Sequence, residues 1–323
     1  MGGTAGSEAS ATETTQYTID CPPTDPETLN TVVTKHVNSL DLYLSKKPIA
    51  GHTRAAFDQL QQQNPDLLMK AKDSKLILDS GCGTGRSSLL LGELFPDSFV
   101  IGVDRSMVRL RKNPKVPRNR SRYSPPIETS SDANEDENDN DDSGQEDKDS
   151  QSILVQQVAD NVWLVRAELV DFWHCLLEYD CRVQHHYMLY PNPYPKSSRL
   201  KQRWYAHPSF PLLLHLSGDR LTVRSNWQQY LEEFKLAAEV VAGLECTGLP
   251  AGSENPARRF FQSSTDEGND ADGAVPPVTS SKPAVVQRSP SAQASWTNFE
   301  AKYDDVGEAT FELVLQAPTI DRV

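Results

Sequence analysis

Apolar residues fall into short runs along the chain, and each run ends in a turn or a change of period. KLILD (75–79) and SFVIGVD (98–104) are continuous apolar runs of strand length, which predicts buried strands. Between them, RSSLLLGELF (86–95) has helical spacing and is stopped by Pro96. VWLVRA (162–167), HHYMLY (185–190) and DRLTVRS (219–225) predict three further strands. ATFELVL (309–315) alternates as an edge strand does. From about Glu27 to Lys72 the spacing is helical, with a break at QQQNPDLL. Strands separated by helical stretches predict an α/β fold, a doubly wound and mostly parallel sheet covered on both faces.

Composition limits how much of the chain packs. Only 37% of the 323 residues are hydrophobic, low for a fully globular chain of this length. Residues 1–26 are rich in Ser, Thr, Gly and acid, and read as disordered. One domain is expected over 27–316, with two disordered inserts and a tail at 317–323. The stretch leading to the first insert (113–150) is basic, with eight Lys or Arg from Arg105 to Arg122. It then turns acidic, with eleven Asp or Glu against one Lys from Glu128 to Asp149. The second (249–295) is rich in Ser, Pro, Gly, Ala and Asp. Setting the acidic tract aside takes the net charge from −13 to about −3, so the acidity describes an insert more than a surface.

Five scattered cysteines (21, 82, 175, 181 and 246) contain no CxxC pair, which predicts a reducing compartment and no metal site. The first 30 residues hold no Lys, no Arg and no apolar run, so no secretory signal is expected. The opening MGGTAG places Gly6 where a myristoylation signal needs Ser or Thr. No run of about 18 apolar residues exists to span a membrane. A cytoplasmic or nuclear protein is expected.

The candidate chemistry begins at DSGCGTG (79–85), between the first strand and the first helix of the sheet. Gly81, Gly83 and Gly85 allow a tight turn and close approach of a ligand, and the helix behind them offers unpaired N–H groups. The second strand ends at Asp104, whose carboxylate can accept two ribose hydroxyls. A dinucleotide fingerprint wants Gly or Ala where Arg86 stands. The loop instead resembles motif I of the class I S-adenosylmethionine-dependent methyltransferases, a Rossmann-like family. That resemblance implies the cofactor S-adenosyl-L-methionine, held at its amino-acid end by Asp79 and at its ribose by Asp104. Glu168, closing the third strand segment, would face the adenine, or it is a surface acid at a helix start.

The fourth strand runs into LYPNPYPKSSRLKQRW (189–204), a stiff aromatic loop followed by Lys196, Arg199, Lys201 and Arg203. Cations beside an aromatic loop suit a nucleic-acid backbone entering the site, or form a solvated basic loop. The segment resembles the F-P-D-P-W-x-K-x-x-H-x-K-R-R motif of the tRNA (guanine-N7)-methyltransferase family. VRSNWQQY (223–230) resembles that family's A-T-D-x-x-x-Y, and TNFEAKYDDVGEATFELVL (297–315) its T-K-F-E segment. Together the similar stretches cover about half the chain. The resemblance implies methyl transfer to tRNA and leaves room for a non-catalytic partner subunit. Asn192 would stand at the catalytic aspartate position and also near the cofactor. Lys196, Asn226, Thr297, Asn298, Phe299 and Glu300 would meet RNA. Two of these carry a structural reading as well: Asn226 with Gln229, and Thr297 with Glu300, each match a capping box.

Two family aspartates are Asn192 and Asn226 here, Tyr194 replaces a tryptophan, and Asn298 replaces a lysine. N7 of neutral guanine already carries its lone pair, so orientation matters more than proton removal. Asn192 keeps a hydrogen-bond acceptor and loses the charge that would favour a cationic purine. The expected outcome is weakened or retargeted activity. A catalytically inactive homologue that binds RNA or cofactor, and a methyltransferase for another acceptor, remain the competing readings.

Overall fold

The apolar runs become strands in the computed structural model, which describes residues 23–73, 75–116, 154–262, 283–288 and 295–318. Residues 1–22, Cys21 among them, the acidic tract at 128–149, most of the second insert and residues 319–323 lie outside that range. The helical amino-terminal region forms α1 (Pro26–Val37), α2 (Leu40–Lys46), α3 (Gly51–Gln63) and α4 (Leu67–Lys72), with the expected break at Asn64. There follow β1 (Leu76–Ser80), α5 (Arg86–Leu94), β2 (Phe99–Asp104) and α6 (Met107–Leu110). Then come β3 (Val155–Ala159), β4 (Val162–Arg166), α7 (Leu169–Glu178) and β5 (Val183–Leu189). The last part holds α8 (Phe210–Leu216), β6 (Ser217–Ser225), α9 (Gln228–Ala242), β7 (Val285–Arg288), α10 (Asn298–Val306) and β8 (Thr310–Gln316).

The strands lie in one sheet in the order β3-β4-β2-β1-β5-β6-β8-β7. β4, β2, β1, β5 and β6 are parallel, β3 joins β4 antiparallel, and β8 runs against both β6 and β7. This is the doubly wound, mostly parallel α/β sheet that the sequence predicts. Alternation along β1 feeds two cores, as strands covered on both faces require. Leu76 and Leu78 pack with Phe57, Phe172, Trp173 and Phe234 on one face. Ile77 packs with Leu91, Val100, Leu110 and Leu164 on the other.

Three expectations are corrected. β8 is not an edge strand, because β7 pairs outside it, Arg288 opposite Thr310 and Val285 opposite Leu313. The 249–295 stretch is ordered in two places, around 257–260 and at β7. Ala257 and Phe260 are buried in the core, and Arg259 donates to the carbonyls of Leu214 and Gly218. The first insert begins later than position 113, since Asn113 and Val116 are buried and Asn113 Nδ2 donates to the Thr84 carbonyl. In each case a few apolar or hydrogen-bonding side chains anchor backbone whose average composition is polar.

β1 has β2 on one side and β5 on the other, so the chain winds outward in both directions from this pair. Crevices at the carboxyl ends of strands at such a switch point are where open α/β sheets bind ligands. The glycine loop leaves β1 there, and the proline-rich loop leaves β5 beside it.

Candidate active site at the carboxyl ends of the strands

The turn after β1 is built on left-handed glycines: Gly81, Gly83 and Gly85 have φ of 83°, 59° and 75°. The amides of Gly81 and Cys82 donate to the Val103 carbonyl, fastening the loop to the end of β2. A Cβ at Gly81 or Gly83 would meet nothing within 4 Å, so open space lies over this part of the loop. At Gly85 a Cβ would stand 2.6 Å from Leu164, so that glycine serves packing.

Asp104 is nearly buried and faces the loop. Its Oδ2 accepts the Gly83 amide at 2.9 Å and its Oδ1 accepts the Ser106 amide at 2.7 Å. Arg109 stands 3.5 Å from Oδ1. A carboxylate has roughly four acceptor positions, so about two remain for a ligand's hydroxyls.

Asp79 occupies a different environment. Its Oδ2 accepts both Ser87 Oγ, at 2.6 Å, and Ser88 Oγ, at 2.7 Å. It is 1% exposed, and burial pushes its carboxyl up to about 6, against the lowering effect of the two serines and with a further rise from Asp104. Its hydrogen bonds therefore tie β1 to the first turn of α5. Gly102 permits this arrangement, because a Cβ there would lie 2.3 Å from Ser88 Oγ.

The loop after β5 is held in a strained form. Tyr190 has φ of +53° and Tyr194 +44°, in the left-handed region that costs a bulky residue roughly 1–2 kcal/mol. The Tyr190 amide donates to the Arg224 carbonyl, extending the β5–β6 ladder by one bond. The Tyr194 amide donates to Asn192 Oδ1 at 3.1 Å, a side-chain turn across the proline between them. Asn192 is exposed, and its oxygen thus already serves one backbone donor.

α10 closes the cluster from the far end of the sequence. Asn298 Oδ1 accepts from Arg86 of the glycine-loop helix at 3.3 Å. The ring of Phe299 stacks on Tyr190, with centroids 5.9 Å apart at 30°. The open glycine loop, Asp104, the Asn192 loop, Asn298 and Phe299 thus border one end of the sheet. Glu168 precedes α7, with its amide donating to Thr53 Oγ1 at 3.1 Å; its side chain does not cap the helix. Lys196, Arg199 and Lys201 are exposed on the short turn after the loop.

Four predicted substrate residues make contacts within the fold. Arg203 is 3% exposed and ion-paired to buried Glu233, so it is not a surface cation. Glu300 is 1% exposed; it pairs with Arg288 and Arg224, and accepts the Trp296 amide at 2.9 Å. Thr297 does cap α10, accepting the Glu300 amide, but the return bond of the expected box goes to Trp296 rather than to Thr297. Asn226 caps nothing: Trp227 holds the cap position of α9, and Asn226 Nδ2 donates to Tyr303 Oη at 3.1 Å. Gln229, its predicted partner, donates to Glu233. Arg86, Tyr190 and Arg288 also border this cluster, though the sequence did not single them out as site residues. Only the aromatic character of Tyr190 carried a signal, because pairings across 98 and 212 residues have no local pattern.

Among the described residues no group of three or more His, Cys, Asp or Glu could hold a metal ion, and no helix is long and apolar enough to cross a membrane. No protein-family model matches the chain, and no curated protein matches it. Solved structures align loosely. A 16S rRNA (adenine(1408)-N(1))-methyltransferase from Catenulisporales acidiphilia, solved as a mutant with SAM, is 15% identical over 80% of this chain and 93% of that one, with a TM-score of 0.38. An antibiotic-related methyltransferase is 12% identical over 78% and 94%, also at 0.38. The 16S rRNA methyltransferase KamB is 12% identical over 84% and 96%, at 0.37. Likenesses this loose carry no argument about what this chain does.

Proposed function

We propose that the protein is an S-adenosyl-L-methionine-dependent RNA methyltransferase whose preferred acceptor is N7 of guanine in tRNA. One observation carries the reading. The Asp104 carboxylate faces the amide of Gly83, with open space over Gly81 and Gly83, beside the strained Tyr190–Tyr194 loop. The motif resemblances at 79–85, 189–204 and 297–315 supply the acceptor.

The residues fit the cofactor at one end. Gly81 and Gly83 leave room for it, and Asp104 retains acceptor positions for its ribose hydroxyls. Bound there, S-adenosylmethionine supplies an activated methyl group. Asp79 holds the start of α5 through Oδ2, bonded to Ser87 and Ser88, and its buried Oδ1, which has no partner within the described residues, would meet the amino-acid end of the cofactor.

The protein's part in the chemistry is placement. Guanine N7 needs no proton removed before it attacks, so the gain comes from holding base and methyl donor in line. Asn192 Oδ1 keeps one lone pair beyond its bond to Tyr194, and its amide adds two donors, enough to read a base edge. Phe299, 45% exposed and backed by Tyr190, offers an aromatic face for a base to stack on. Lys196, Arg199 and Lys201 would meet phosphates, and a partner subunit would extend that surface.

The test is transfer of labelled methyl from S-adenosylmethionine to unmodified tRNA, with the product nucleoside identified by mass. N7-methylguanosine is the expected product. Cofactor binding without transfer to any RNA would support the second reading, a binder without activity, which the uncharged and already engaged Asn192 favours.

A further inference from the structure

The strained loop after β5 needs something to hold it, and the geometry assigns that role to Arg203. We propose that Arg203, locked by Glu233, is a positioning residue that braces the Asn192 loop from inside the protein. The inference rests on the proposed function above for what the loop does, and on contacts alone for what holds it.

Arg203 Nε donates to the Tyr194 carbonyl at 3.1 Å and its Nη2 to the Pro195 carbonyl at 3.3 Å. One planar guanidinium thereby fixes two successive peptide units, as a rigid fork can and a lysine ammonium cannot. Tyr194 is the residue at φ +44° whose amide holds Asn192 Oδ1. Its carbonyl is pinned from behind while its amide is pinned in front. The Asn192 side chain is therefore oriented through Tyr194 by a group it does not touch.

Arg203 is itself held on the side away from the loop. Its Nη1 lies 3.0 Å from Glu233 Oε2 and 2.9 Å from Tyr205 Oη, and the Tyr205 hydroxyl also donates to Glu233. Thr24 completes the set, giving its amide to Glu233 Oε1 at 2.7 Å and its hydroxyl to Oε2 at 2.8 Å. Arg203, Glu233 and Tyr205 are all 3% exposed or less, so these bonds are shielded from competing water. A phosphate outside could not reach this guanidinium without breaking the pair.

Amide hydrogen exchange on the free protein tests the brace without cofactor or RNA. Arg203→Lys keeps a charge for Glu233 and removes the fork to the loop carbonyls. Exchange at Tyr194, whose amide is held by Asn192 Oδ1, should rise by about tenfold or more while the strands hold their protection. Glu233→Gln should do the same more weakly, since it loosens the anchor and leaves the fork. Unchanged exchange at the Tyr194 amide in Arg203→Lys, or an even rise along the chain, would overturn the assignment. Where the wild type transfers methyl to tRNA, kcat should fall by about tenfold with KM for RNA nearly constant. A rise in KM alone would instead make Arg203 an RNA contact. A wild type that transfers nothing would end the functional reading and leave the exchange result to decide the brace.

Discussion

The guanidinium of Arg224 lies 4.1 Å from the centroid of the Trp296 ring, and the same side chain donates to Glu312, its cross-strand partner, at 2.7 Å. Glu300 stands 3.5 Å away on its other flank. A single β6 side chain thus joins β8, α10 and the segment leading into α10. Trp296→Ala should cost about 1–2 kcal/mol from the cation–π contact alone, read as a lower urea midpoint. Asn298 and Phe299 would lose their footing with it.

Glu300 is the centre of that cluster. Glu300→Gln would leave Arg224 and Arg288 without their shared carboxylate and should destabilise the protein by about 3 kcal/mol. A variant of unchanged stability with a raised KM for RNA would return Glu300 to the role its motif implies.

Two glycines of one loop should respond differently to alanine. Gly85→Ala adds a Cβ 2.6 Å from Leu164 at φ +75°, so the fold should lose about 2–3 kcal/mol. Gly81→Ala meets no neighbour within 4 Å and costs only the roughly 1 kcal/mol of its left-handed backbone. It should nevertheless weaken S-adenosylmethionine binding, measured calorimetrically, by about tenfold or more, because its methyl enters the open space.

Asp104→Asn keeps the size of the side chain and loses the charge that draws the Gly83 and Ser106 amides. Cofactor affinity should fall by about ten- to a hundredfold, matching charge-assisted bonds worth about 1.5–3 kcal/mol. Unaltered affinity would remove Asp104 from the site.

Acid should unfold this protein early. Burial holds His186 at about 3 and His207 and His215 at about 4, from an ordinary 6.5. His186 is neutral between Ser80 Oγ, at 2.8 Å from Nε2, and Ser217 Oγ, at 2.9 Å from Nδ1. Below pH 6.5 the unfolded chain takes up protons on these rings that the folded one refuses, so stability falls with pH. Asp79 opposes the trend, because at about 6 it is protonated in the fold before it is in the unfolded chain. These four groups alone differ by about two protons near pH 5, a slope of roughly 3 kcal/mol per pH unit. Thermal melts at pH 7 and pH 5 would read it.

Removing Lys196, Arg199 and Lys201 together should leave stability unchanged, since all three are exposed. It should lower the salt dependence of RNA binding by about two units of log–log slope, the amount expected for three phosphate contacts on a single strand.

Periodicity made the parallel core legible in the sequence: buried strands are nearly continuous apolar runs, and β1, β2, β4, β5 and β6 fall where those runs lie. β3 escaped because Gln156 and Gln157 interrupt its pattern, and β7 because it is four residues long in polar surroundings. The glycine loop was legible through its spacing. The burial of Arg203 and Glu300 was not legible for one reason: sequence shows that a residue is charged but not which way it points. A carboxylate 30 residues along the chain decides that for Arg203.

β8 also bears on how the chain is made. It pairs with β6 from Arg220 opposite Gln316 to Ser225 opposite Phe311, across an intervening 85 to 95 residues that include the whole second insert. On the ribosome, β6 would emerge long before its partner, with one row of backbone donors and acceptors open to any passing strand. Chains halted within the insert should therefore clump or recruit chaperones, whereas chains released after position 316 should not. The parallel strands are all translated by then, and what is missing is the strand that covers β6.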